Sequence, residues 1–120
     1  MQIVVPMAGI GKRFLEAGYQ TPKPLIEVDG KSMIEHIINL FREKDNFTFI
    51  INKEHDKKHQ LKNKLLELKP GSQVLAVLYQ GMGPVWSTLE IEENIKEEEP
   101  TIITYCDFNM SWDQDEFEIW

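Results

Sequence analysis

The chain has 120 residues, 28% of them charged, and a formal net charge of −7. That length allows one domain, burying about 65% of the surface its unfolded chain exposes, and the acidic balance argues against nucleic acid, which needs a basic footprint. Cys106 is the single cysteine, which excludes an internal disulfide and suits a reducing compartment. There is neither an apolar run near the ~20 residues of a membrane span nor a signal-peptide pattern, so a cytoplasmic protein is expected.

Ile3-Val4-Val5 reads as a short central strand near residues 2–6, followed by the turn Pro6-Met7-Ala8-Gly9-Ile10-Gly11-Lys12-Arg13. Phe14, Leu15 and Ala17 make a brief helical turn that Gly18 stops, and Leu25 to Val28 is a short extended piece. Ser32 is an N-cap, with Glu35 as its capping-box partner three residues on. Met33, Ile34, Ile37, Ile38 and Phe41 then follow at helical spacing, which predicts a helix to about Lys44. A second strand is expected at 47–52. Asp56 to Leu68 follows as a helix with Leu61, Leu65, Leu66 and Leu68 inward, ended by Pro70-Gly71. A third strand is expected at 74–78, then a turn Gly81–Pro84 and a helix from Val85 to Ile95 with Pro84 near its first position. The last strand, at 101–105, is an apolar run that reads as buried on both faces.

Strands alternating with helices imply right-handed βαβ units and a Rossmann-like three-layer αβα architecture with a largely parallel sheet. The glycine turn, Gln80-Gly81-Met82-Gly83-Pro84 and Cys106-Asp107-Phe108 each follow the carboxyl end of a predicted strand. In a parallel sheet those ends share one edge, where open α/β sheets bind their ligands.

The glycine turn carries Lys12 and Arg13, and Lys23 follows between Pro22 and Pro24. Glycine lets backbone N–H groups approach an anion closely, and proline on both sides fixes where the lysine ammonium points. A polyphosphate is the natural guest. A Walker loop is excluded, because Pro6 stands at its first Gly and Arg13 at its Ser/Thr; a dinucleotide fingerprint is excluded by Phe14 at its third Gly. What remains resembles the signature of the sugar-nucleotide pyrophosphorylases, a nucleotidyltransferase family: Gly-x-Gly-x-Arg, a spacer, then Pro-Lys-Pro-Leu. The resemblance runs from Ile3 to Ile34 and takes in Val28-Asp29-Gly30-Lys31-Ser32-Met33-Ile34.

The resemblance implies that the backbone of Ala8, Gly9 and Gly11 holds the nucleotide, with Lys12 beside it, while Arg13 and Lys23 act on the phosphates. It implies Asp107 as a ligand of Mg²⁺. It implies contacts to base and ribose from Gln80 and Gly83, although Gln80 reads equally well as an ordinary loop amide. Trp86 stands where the family prefers small residues, and Ser87 is a weaker member of the same site. The implied reaction transfers a nucleotidyl group from a nucleoside triphosphate to a sugar 1-phosphate or similar monoester, releasing pyrophosphate. Gly18-Tyr19 before the Pro-Lys-Pro-Leu segment resembles capsule or surface-polysaccharide members.

Other candidates read more plainly. His55 and His59 have i, i+4 spacing but no third ligand, and they sit in a solvated stretch. Glu97-Glu98-Glu99 reads as a solvated helix end, Cys106 as a small buried residue, and Asp113 and Asp115 match no motif. Family members are about twice this long, so the chain is expected to be the nucleotide-binding half of such an enzyme, without its acceptor-binding half. The alternatives are a nucleotide-binding module without transfer, or an inactive fragment that self-associates into a homo-oligomer through Trp112, Phe117 and Trp120.

Overall fold

The chain runs β1 (Gln2–Met7), α1 (Lys12–Glu16), β2 (Glu27–Val28), β3 (Lys31–Ser32), α2 (Met33–Ile38), β4 (Asn46–Asn52), α3 (Lys53–His59), α4 (Leu61–Leu68), β5 (Gln73–Val77), α5 (Pro84–Glu90), β6 (Thr101–Ile103) and α6 (Gln114–Glu118) in a computed structural model that describes residues 1–119. Four strands pair in parallel in the order β5-β4-β1-β6, with Ile3 opposite Phe47 and Ile102. Alternate residues of β1 and β4 serve opposite faces. Ile3, Val5, Phe47, Phe49 and Ile51 pack against Ile34 and Ile37 of α2 and Leu61 and Leu65 of α4. On the other face Val4, Ala8 and Ile50 pack against Ile91, at the end of α5. This is the expected three-layer α/β architecture around a parallel sheet.

Several boundaries differ from the sequence reading, each for a visible reason. Helix α2 stops at Ile38 rather than near Lys44, because the next residues turn to serve Asp45. That buried carboxylate accepts from the Arg42 N–H at 3.1 Å, from the N-terminal ammonium at 3.0 Å and from Gln114 Nε2 at 2.6 Å. The predicted helix 56–68 is two helices, broken at Gln60, whose backbone is left-handed (φ 52°). The break lets α4 bury Leu61 and Leu65 while α3 stays at the rim. Helix α5 ends at Glu90, where Ile91 is pinned in the second core; Glu97 and Glu98 are therefore exposed in a loop rather than at a helix end. Gln2 holds that loop, donating to Lys96 O at 2.6 Å and accepting from Lys96 N–H at 3.2 Å. The short extended piece at 25–28 belongs to a hairpin of β2 and β3 turned by Asp29 (φ 53°) and Gly30 (φ 81°).

Strand β6 corrects the expectation of a strand at 101–105 buried on both faces. It ends at Ile103 and is an edge strand, with Ile103 55% exposed. Proline explains the early end. The β1–β6 ladder is built from Gln2 N–H to Pro100 O and Thr104 N–H to Val4 O, so the next rung in this register falls to Pro6, which has no N–H to give. Beyond Thr104 the chain leaves the sheet, and a crevice opens beside β1.

The C-terminal segment folds back on the 40–45 turn. Trp112 donates its indole N–H to Leu40 O at 2.8 Å and meets Phe41 edge-on, while Phe117 packs against Trp112. The aromatic end that the self-association alternative relied on is thus partly spent within the chain; Trp120 lies outside the described residues. Among the described residues no helix is long and apolar enough to cross a membrane.

Candidate functional site

The crevice lies at the carboxyl ends of β1 and β6, where the strand order changes direction, which is where open parallel sheets take ligands. Its floor is the turn after β1. Asn52, the buried last residue of β4, fixes that turn: its Nδ2 donates to Ala8 O at 3.0 Å, while its Oδ1 accepts from Glu54 N–H at 2.8 Å and caps α3. Gly11 has φ 65°, a left-handed backbone that favours glycine, whereas a Cβ there would only touch the Lys23 Cβ at 3.6 Å. Gly9 differs. Its backbone is not left-handed, and a Cβ on it would meet no protein atom within 4 Å. Nothing inside the chain requires glycine there, and the space over it opens toward the crevice.

Lys23 forms the front wall. Pro22 and Pro24 are both buried, and Lys23 opens a one-turn 3-10 helix, so its backbone is held from both sides. Its Nζ lies 2.6 Å from Asp107 Oδ2 and 5.5 Å from the centre of the Phe14 ring. The two side chains of this ion pair are 29% and 42% exposed, so both remain open to a ligand. The opposite wall is the segment from Leu78 to Pro84, with Trp86 on α5 held by a bond from its indole N–H to Glu90 Oε1 at 3.1 Å. Together they enclose a cavity of about 340 Å³.

Of the residues singled out in the sequence, Ala8, Gly9, Gly11, Lys23, Gln80, Gly83, Ser87 and Asp107 all line this one cavity. Lys12 and Arg13 do not. Both are exposed on α1, and Lys12 lies 4.0 Å from Glu16 one turn on. Asp107 does not end a buried strand; it sits four residues past an edge strand, in the segment that Pro6 releases. Cys106 is buried, as expected, and burial followed by the Asp107 charge pushes its thiol up to about 11, too high for a nucleophile. Asp113 caps α6 by accepting from Glu116 N–H at 3.0 Å, and Asp115 pairs with Arg42, so neither serves the cavity. The stretch at His55 is not simply solvated, since the ring is half-buried and its Nδ1 is enclosed without a hydrogen-bond partner.

Sequence reasoning missed Asn52, Tyr79 and Tyr105. Asparagine between a strand and a helix is a strong N-cap signal, but its second bond, to Ala8 across 44 residues, has no local signature. As for a metal, Asp107 is the one carboxylate among the cavity's lining residues, and no group of three His, Cys, Asp or Glu residues gathers among the described residues. One carboxylate beside an open cavity of about 340 Å³ fits Mg²⁺, which takes one or two protein carboxylates and fills its octahedron with phosphate oxygens and water.

The chain and its fold have known relatives. Residues 3–110 match the MobA-like NTP transferase domain. The chain is 36% identical over 77 residues to the 2-C-methyl-D-erythritol 4-phosphate cytidylyltransferase of Wigglesworthia glossinidia brevipalpis, covering 59% of this chain and 32% of that protein. Its fold is similar to that of a nucleoside-diphosphate-sugar pyrophosphorylase from Vibrio cholerae RC9, with TM-score 0.70 and 25% identity over 97% of this chain and 52% of that one. An inositol-1-phosphate CTP transferase from T. maritima shares the fold at TM-score 0.63 and 20% identity, over 88% of this chain and 43% of its own. The chain therefore spans about half or less of the length of these relatives. It belongs to the MobA-like NTP transferase domain family of nucleotidyltransferases.

Proposed function

We propose that this chain is the nucleotide-binding half of a Mg²⁺-dependent nucleotidyltransferase. It takes a nucleoside triphosphate and, with an acceptor-binding half, passes the nucleotidyl group to a sugar 1-phosphate or a similar monoester. One observation carries this reading: the glycine turn, Lys23, the Gln80–Gly83 turn and Asp107 line one cavity, with Lys23 and Asp107 2.6 Å apart.

The base and ribose lie along Gln80 and Gly83, and the phosphates cross Gly9 toward Lys23. In the free chain Lys23 and Asp107 neutralise one another; an arriving phosphate takes the ammonium and leaves the carboxylate free. Asp107 would hold Mg²⁺, which offsets charge on the reacting phosphates. Arg13, exposed beside the turn on α1, adds positive charge once the phosphates are bound. The acceptor's phosphate oxygen, already anionic near neutral pH, attacks the α-phosphorus; the bond from that phosphorus to the bridging oxygen breaks, and pyrophosphate leaves. No general base is needed, so alignment and charge neutralisation supply the rate. This is why a site without a catalytic histidine suits the reaction.

The motif likeness to surface-polysaccharide members makes a sugar phosphate the default acceptor, and the lone cysteine suits the cytoplasm. A nucleotide-binding module without transfer is favoured by one observation, the single carboxylate at the cavity. Pyrophosphate release, followed with each triphosphate and a panel of sugar 1-phosphates, separates the two readings. This chain alone should turn over poorly or not at all, and a version extended to the relatives' length should reach about 1–10³ s⁻¹. An extended version that binds triphosphate but releases no pyrophosphate would leave only the binding module.

A further inference from the structure

Trp86 stands where the family prefers small residues, and it forms part of the cavity wall. Gly83 (φ 87°) and Pro84, at the first position of α5, fix where that helix begins, so Trp86 falls in its first turn. Aromatic side chains on a helix lean back toward the preceding turn, which here is the Gly81–Pro84 part of the wall. The indole N–H is already engaged, donating at 3.1 Å to Glu90 Oε1, and Glu90 is not among the cavity's lining residues. Indole has no acceptor, so what Trp86 offers a ligand is its π-face. The residue is 44% exposed, and among the described residues no other aromatic ring packs on it. The groups around it are equally undemanding. Leu78 and Met82 are apolar, and Ser87 turns its hydroxyl back to Gly83 O at 3.4 Å. Away from Lys23 and Asp107, the polar side chains left in the lining are the Gln80 amide and the Tyr79 and Tyr105 hydroxyls. An amide that turns over and a hydroxyl that rotates can each donate or accept. No charged residue occurs from Leu78 to Leu89, so this wall suits a flat, uncharged guest.

We propose that Trp86 holds the base of the nucleoside triphosphate by stacking on its indole face, and that the site consequently accepts adenine, guanine, cytosine and uracil with affinities within about tenfold of one another. The proposal rests on the nucleotidyltransferase reading and deepens it, since it names the group that holds the base and makes the chain broad in its choice of nucleotide. Stacking tolerates any base because every base has a π-face, and losing the aromatic partner costs about fivefold to a hundredfold in affinity. Strong discrimination comes instead from buried donors and acceptors fixed against one base edge, because the wrong base leaves them unpaired. On this wall the fixed donor, the Trp86 N–H, is spent on Glu90, and the groups that remain can reverse their roles.

ATP, GTP, CTP and UTP, with inorganic tripolyphosphate as the control that has no base, serve as probes. They are titrated calorimetrically in Mg²⁺ into the wild-type chain, Trp86→Ala and Trp86→Phe. The Phe variant keeps a ring, so its affinity and emission carry the test should Trp86→Ala melt early. Expected for the wild type are four affinities within about tenfold of one another. Trp86→Ala should lose about fivefold or more for each of the four and bind tripolyphosphate as before, while Trp86→Phe keeps most of the affinity. Each nucleotide should also quench tryptophan emission in the wild type, and Trp86→Phe should lose that quenching. A spread well beyond tenfold, a loss confined to one base, or wild-type binding by Trp86→Ala would overturn the stacking site. Should binding then still fall in Lys23→Ala, the nucleotide site itself stands. A wild-type chain that binds none of the four nucleotides would overturn both.

Discussion

Replacing Asp107 by Asn separates two roles of one carboxylate. In the free chain it holds the Lys23 ammonium at 2.6 Å, and in the nucleotide complex it is assigned to Mg²⁺. Both partners are partly exposed, so the ion pair contributes about 0.2–1 kcal/mol to stability. Unfolding entropy near 2.1 cal/mol/K per residue gives about 0.25 kcal/mol/K for a chain of this length, so the substitution should move Tm by less than about 4 °C. Binding changes in two directions. Without metal, a triphosphate must draw Lys23 away from Asp107, and Asn removes both that competition and a like charge. Affinity in EDTA should therefore rise, by up to about fivefold for 1 kcal/mol. With Mg²⁺ the wild type gains affinity and the variant gains little, because the anionic ligand is gone. Calorimetric titration of one triphosphate with and without Mg²⁺, for both proteins, measures all four constants. Equal losses in EDTA and in Mg²⁺ would refute the competition between Lys23 and the phosphates, and an unchanged Mg²⁺ response would place the metal elsewhere.

Gly9→Ala should leave Tm within about 2 °C, because its Cβ meets no protein atom, yet weaken nucleotide binding if the phosphates cross Gly9 as proposed. Gly11→Ala should instead destabilise the chain by about 1–2 kcal/mol, read by melting, because its backbone is left-handed. Lys23→Ala should cost triphosphate affinity tenfold or more, as expected for a charge-assisted contact of about 1.5–3 kcal/mol, and leave nucleoside affinity unchanged. Arg13→Ala, outside the free cavity, should cost less in the same titration. In acid, Asp45 should control stability: burial alone would raise its carboxyl pKa, but the bonds from Gln114 and the N-terminal ammonium outweigh it and lower the value. A depressed folded-state pKa stabilises above the unfolded value, about pH 4, and that contribution is lost as pH falls through the folded value. Denaturant melts of Asp45→Asn should show a weaker dependence on pH below about 4 than the wild type.

The apolar runs made the sheet legible, since Ile3-Val4-Val5 and Phe47 to Ile51 need cover on both faces. Boundaries set by distant partners were not legible. No helical propensity at residues 39–44 announces that Asp45 will collect the amino terminus and Gln114, and nothing near Thr104 says that Pro6 withholds the next rung. The hairpin was available in the dipeptide Asp29-Gly30, a strong turn signal that the reading as a plain extended piece passed over. At the site, Gly9, Gly11 and Lys23 could be read because their chemistry is local. Asp107 could be read because parallel strand ends share an edge, even though β6 ends sooner than expected. Lys12 and Arg13 show the limit of a motif, since adjacency in sequence does not give them a place in the cavity lining. The bond from Asn52 to Ala8 and the enclosure of His55 arise only when α3 packs beside the turn.

Thermal melting of the chain with each nucleoside triphosphate, in Mg²⁺ and in EDTA, tests most directly whether the cavity is a nucleotide site. At about 100 times its dissociation constant, the preferred triphosphate should add about 2.7 kcal/mol, or roughly 10 °C in Tm, and the shift should depend on Mg²⁺ and vanish in Lys23→Ala. No shift with any triphosphate, or a shift that survives Lys23→Ala unchanged, would contradict nucleotide binding at this cavity.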